Sequence, residues 1–156
     1  MKPSKATLVN FGMATAMIAL AVIGHRLSPL LLPTADVTAV AEAGCDLQKS
    51  ACAAALPRGG HLEFSISPRP IPVAHPFRIE VAVNGIESRR VEVDFSGETM
   101  NMGYNRSELS RTGSGRYAGE VSLPVCVSGG MAWLATVIVE TDGQRIAVPF
   151  RFETGR

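Results

Sequence analysis

The sequence predicts an all-β domain, an antiparallel sandwich, preceded by one N-terminal helix. The chain opens with an uncharged apolar run from Thr7 to Gly24. Five later stretches alternate apolar and polar residues with a period of two, as strands do when one face is buried and the other wet. Turn-forming residues separate those stretches at short intervals. At 156 residues there is room for one domain, and 15 basic against 14 acidic residues leave a net charge of +1. That balance provides no field to attract nucleic acid or an acidic substrate, so no nucleic-acid partner is expected.

Residues 1–24 read as a membrane anchor or signal segment. The uncharged run is roughly 18 residues long, which at about 1.5 Å per residue just spans a bilayer's hydrocarbon core. Lys2 and Lys5 ahead of it favour a cytoplasmic N-terminus and an exported remainder. The first expectation is therefore an inner-membrane, single-pass protein with its domain in the periplasm. The alternative is a cleaved signal and a domain secreted to the periplasm. The small-x-small sites Ala39-Val40-Ala41 and Ala41-Glu42-Ala43 lie well past the run, beyond Pro29 and Pro33. Gly44-Cys45 suggests lipidation, but Glu42 stands where a lipoprotein signal usually carries an aliphatic residue. Residues 25–44, rich in Ala, Pro, Thr and Leu without a period, read as a tether, which leaves 45–156 for the sandwich.

The strands follow in order. Leu62, Phe64 and Ile66 share one face, and Phe77, Ile79, Val81 and Val83 repeat the pattern after a connection from Pro68 to Pro76 too rich in proline to pair regularly. Val91, Val93 and Phe95 then alternate with Arg90, Glu92 and Asp94. Tyr117, Val121 and Leu123 form a further apolar face, as do Ile146, Val148, Phe150 and Phe152. Met131 to Glu140 is apolar on both faces, which suits a central strand. Asn84-Gly85, the Thr112–Gly115 segment and Asp142-Gly143 supply turns, the last a good two-residue hairpin. About seven short strands at this spacing predict a sandwich of immunoglobulin-like type.

Three cysteines fit an oxidising compartment. Three pairings are possible, with one thiol left over. A helix between Cys45 and Cys52 would hold them about 10 Å apart, too far to bond. Pro57-Arg58-Gly59-Gly60 follows closely and favours a loop, so Cys45 and Cys52 are expected to pair and Cys126 to be the odd thiol.

Catalytic patterns are missing: there is no nucleophile elbow, phosphate loop or paired-cysteine zinc motif. His25 borders the apolar run, leaving His61 and His75, and the expectation is a protein that is not an enzyme. The methionines are more informative. Outside the N-terminal region only Met100, Met102 and Met131 occur. On an extended strand, residues two apart point the same way, so Met100 and Met102 would present two thioethers to one ligand. Soft thioethers favour Cu(I). The preceding strand buries its odd positions, so the even-numbered methionines would face away from the core unless Gly97 makes a bulge. Met131 and Trp133 form a second same-face pair, and an indole could cap a thioether-bound cation. Methionine is also a common gap-filler, so packing competes with this reading.

Met100-Asn-Met-Gly-Tyr-Asn-Arg, followed by Ser-Glu-Leu, Gly115-Arg-Tyr-Ala-Gly-Glu-Val-Ser-Leu-Pro and then Trp133 before an apolar strand, resembles the YtkA-like/FixH-like domains. The resemblance covers roughly residues 61–154. It implies an immunoglobulin-like, exported or membrane-anchored domain linked to copper handling and cytochrome oxidase assembly, with proteins of those processes as partners. Met100 and Met102 match the family's methionines. Where many members carry histidine shortly after Met-Gly, Tyr104, Asn105 and Arg106 stand instead. Cys126 and Met131 bracket the loop Val127-Ser128-Gly129-Gly130, which would bring a thiol and a third thioether near the first pair.

Two functional readings result. In one, the protein is a Cu(I)-binding metallochaperone with Met100, Met102 and Met131 as ligands, Cys126 or His61 as a fourth, and Trp133 capping. In the other, it is a metal-free interaction module of a membrane complex, docking through Asn101, Tyr104, Asn105 and Arg106, since Tyr and Arg are common interface anchors.

Overall fold

The computed structural model describes residues 5–31, 35–124 and 130–155, and within the N-terminal helix the side chains of residues 10–25. The chain divides into two compact units, 1–34 and 35–156. The first is one helix, α1 (Lys5–Leu31). Its described side chains are all exposed. The apolar run thus forms the helix it predicts. Among the described residues, however, no helix is long and apolar enough to cross a membrane. The expected transmembrane span is corrected to that extent.

Among the described residues the second unit is a sandwich of ten strands: β1 (Val37–Thr38), β2 (Cys52–Ala55), β3 (His61–Ser67), β4 (Phe77–Asn84), β5 (Arg90–Gly97), β6 (Arg106–Glu108), β7 (Ser110–Gly113), β8 (Arg116–Val121), β9 (Met131–Glu140) and β10 (Arg145–Thr154). One sheet runs β1-β10-β9-β5-β6 and the other β2-β3-β4-β8-β7. The chain changes sheets between β1 and β2, between β4 and β5, between β6 and β7, and between β8 and β9. The strong alternations all become strands with the expected faces inward. Phe64, Phe77, Phe95, Phe150 and Phe152 fill the space between the sheets, with Phe95 edge-on to both Phe77 and Phe152. β9, apolar on both faces, lies between β10 and β5 as a central strand.

Three expectations need correction. Ten strands form rather than about seven, because β1, β6 and β7 sit at sheet edges with few inward residues and β2 (Cys-Ala-Ala-Ala) alternates only in small side chains. The first sheet is mixed, not purely antiparallel, since β1 pairs parallel to β10. The tether does not extend to residue 44: α1 takes residues up to Leu31, and the sandwich begins at residue 35. Asp36 explains that early start. Its backbone N–H donates to the Arg145 carbonyl at 2.8 Å, and its carboxylate accepts the Arg145 N–H at 2.7 Å. Ala39, buried, donates its N–H to the Ala147 carbonyl.

Cys45 and Cys52 are disulfide-bonded, with Cα atoms 5.3 Å apart. The intervening loop is short and buries Leu47 completely. Cys126, with residues 125–129 of its loop, lies outside the described residues.

Candidate functional site

Gly97 ends β5 and pairs directly opposite Trp133 on β9. Residues opposite one another in an antiparallel pair share a face, so the side-chain direction at Gly97 is inward, with Trp133 and, one step along β9, Met131. Met131 is 6% exposed and Trp133 1%. A Cβ built on Gly97 would collide with the Met131 methyl carbon and the Met100 carbonyl oxygen, and would lie 3.2 Å from Met102 Cγ. Two thioether side chains and the backbone of a third methionine therefore meet over one glycine, at the end of the core where β5 finishes.

The segment that brings Met100 and Met102 there is a loop, not a strand, which corrects the expectation of two thioethers on one extended face. Met102 packs against the core, while Met100 is 45% exposed. The loop is held locally. Asn101 Oδ1 accepts the Gly103 N–H at 2.8 Å, and Asn105 Nδ2 donates to the Met102 carbonyl at 2.9 Å. Gly103 takes φ +80°, a backbone region that suits glycine and lets the chain reverse there. At the base, the Glu98 N–H donates to the Ala132 carbonyl and the Glu98 carboxylate takes a bidentate ion pair from Arg151 Nε at 2.8 and 2.9 Å. The hydrogen bond and charge of Glu98 raise the Arg151 pKa above its ordinary value.

The other expected residues divide. Trp133 is a core residue whose indole N–H donates to Thr154 Oγ1 at 3.0 Å, so it flanks the cluster from inside rather than capping an exposed cation. Tyr104 is 80% exposed, with the Arg106 guanidinium 5.8 Å from its ring centre. Arg106 also donates to Asp94 at 3.3 Å, and its Nε is buried with no hydrogen-bond partner. Asn101 is exposed and Asn105 half-buried, both engaged in shaping the loop.

His61 does not join the cluster. It opens β3 and pairs with Asn84, at the end of the sandwich where β4 gives way to β5. Gly97 is at the other end of the eight-residue β5, on the order of 23 Å along the strand direction. The histidine on the methionine side is His75, exposed in the connection before β4: Ala74 N–H donates to the Leu123 carbonyl, and Phe77 meets Phe95 two residues before Gly97.

The donor set suits a soft, low-charge ion: neutral thioethers at the edge of an apolar core. Among the described residues, no group of three His, Cys, Asp or Glu side chains could hold a metal. Compared with known proteins, the chain matches no family model and no curated sequence.

Proposed function

We propose that this protein is a non-enzymatic, exported sandwich of immunoglobulin-like type that binds Cu(I) through Met100, Met102 and Met131. The observation that supports it is the meeting of the Met131 methyl and Met102 Cγ over Gly97, each one bond from its sulfur, beside the exposed Met100. Thioethers are uncharged and soft, so they bind Cu(I) without the proton release that thiolates require, and they do so where free thiols are oxidised. The Cys45–Cys52 disulfide supports such a compartment. The crossings between β4 and β5 and between β8 and β9, with β9 placed between β10 and β5, support the immunoglobulin-like assignment. Resemblance to the YtkA-like/FixH-like domains adds the role, copper delivery or respiratory oxidase assembly in the periplasm, carried there by the N-terminal segment.

The test is an anaerobic titration of the full chain with Cu(I) against a chromophoric chelator. One equivalent bound by the wild type, and lost in Met100→Leu/Met102→Leu, is the expected result. Leucine matches methionine closely in volume, so the double variant should lose less than about 1.5 kcal/mol of stability per site. Stoichiometric binding retained in that variant would overturn the assignment.

A second reading has its own support. Met100 and Tyr104 are large, apolar and exposed on one loop, with Arg106 against the tyrosine ring. Such a surface suits docking to a protein of a membrane complex. A partner that co-purifies with the wild type, persists after chelation, and is lost in Tyr104→Ala would favour this reading.

A further inference from the structure

We propose that Gly97 is the positioning residue of the methionine cluster, needed for the volume it leaves empty rather than for its backbone freedom. This rests on the copper reading above for its ligand and on the packing for its geometry. Glycines required by conformation in this chain sit at positive φ, among them Gly85, Gly103 and Gly115. Gly97 does not. It lies in a paired strand, opposite Trp133, where most residues would be comfortable and where glycine weakens the strand. What excludes other residues is space. The inward Cβ position is filled by the Met131 methyl and the Met100 carbonyl, and crowded by Met102 Cγ.

The consequences for the two sides of the site differ. The Met131 methyl ends a flexible side chain and can swing aside. The Met100 carbonyl belongs to the backbone, so a methyl group at Gly97 must also lift the loop that carries Met100 and Met102. A single added carbon would therefore part Met131 from both loop methionines. Gly97 acts through the methionines and touches no ligand itself.

The experiment compares wild type with Gly97→Ala, both as the full chain, by anaerobic Cu(I) titration and X-ray absorption at the copper edge. The expected result is at least a tenfold weaker Kd in Gly97→Ala, with fewer sulfur neighbours than the wild type's three. Wild-type affinity and sulfur count in Gly97→Ala would overturn the proposal while leaving the copper reading intact. No Cu(I) binding by the wild type would overturn both. Because Gly97→Ala could fail to fold, two further measurements stand beside it. In the unaltered protein, nuclear Overhauser contacts are expected from the Met131 methyl to the Gly97 α-protons and to the Met102 γ-protons, and their absence would overturn the packing argument. Gly97→Ala/Met131→Val removes the displaced methyl, and is expected to melt above Gly97→Ala but below the wild type, because the Met100 carbonyl still meets the added carbon. A melt no higher than that of Gly97→Ala would overturn the packing argument too.

Discussion

Tyr117 ties the two sheets together through one oxygen. Its hydroxyl donates to the buried Ser88 carbonyl at 2.9 Å, lies 2.8 Å from Ser88 Oγ, and accepts from the part-buried Arg111 at 2.6 Å. The Arg111 guanidinium also stands 5.2 Å from the ring centre. Removing the hydroxyl leaves Ser88 Oγ short of a partner away from water, which costs about 1–3 kcal/mol, while the Ser88 carbonyl keeps the Arg111 guanidinium. Tyr117→Phe should therefore lower the urea midpoint with an unchanged slope. A loss below about 0.5 kcal/mol would mean that water replaces the hydroxyl. At the same scale, the sequence revealed that Tyr117 faces inward but not what its oxygen meets. Ser88 sits in a crossing between sheets, remote from Tyr117 in sequence, and no local pattern announces such a partner. Trp133 is similar: its segment is apolar on both faces, so period two left its direction open, and the Thr154 hydroxyl that receives its N–H was not legible either.

The disulfide loop shows how one short element fastens several others. Gln48 donates to the Glu153 carbonyl at 2.5 Å, and its side-chain oxygen accepts the Ile71 N–H at 3.0 Å, so the loop joins the end of β10 to the connection before β4. Asp46 supports the loop's own turn. Its carboxyl is held below the usual carboxylate range by the Lys49 hydrogen bond and then by the Gln48 N–H. Cross-linking Cys45 to Cys52 closes a small loop, worth on the order of 2–3 kcal/mol by chain entropy. Cys45→Ala/Cys52→Ala should lose that amount in chemical denaturation and become insensitive to reductant, while the unaltered protein is destabilised by reductant to the same level. No change on reduction would show that Leu47 packing and the Gln48 hydrogen bonds hold the loop without the cross-link. The loop's existence was readable from Pro57 and Gly59 and the cysteine spacing. The strand that follows it was not, because alanines carry too little contrast in burial to show a period.

The strand order sets which loops gather at which end of the molecule. Apart from β1, neighbouring strands run antiparallel, so the connection at 68–76, the loop at 98–105 and the start of β9 fall on one side, while His61 and the Asp142-Gly143 hairpin fall on the other. His61 was a poor candidate for that reason, and counting strands would have favoured His75. The same architecture fixes where the folded domain begins. A fragment starting at Ala35 keeps β1 and its bonds to β10, whereas one starting at Gly44 loses them together with the Glu42 N–H bond to the Ala53 carbonyl. At about 1 kcal/mol per hydrogen bond, the shorter fragment should be less stable by on the order of 4 kcal/mol in a thermal or urea melt. Equal midpoints would make β1 an ornament of the edge.

By itself the sequence determined the sandwich, most of its inward faces and the expected Cys45–Cys52 pairing, and it singled out the methionines on which the copper proposal rests. These depend on period, spacing and side-chain chemistry, which are local and written along the chain. Only the tertiary structure decided that Met131 and Met102 meet over Gly97, that Met100 stays at the surface, that His61 is remote, and that Asp36 starts the domain against Arg145. Each of those depends on residues far apart in sequence occupying one small volume. Close packing between two sheets fixes such coincidences, and no single segment encodes them.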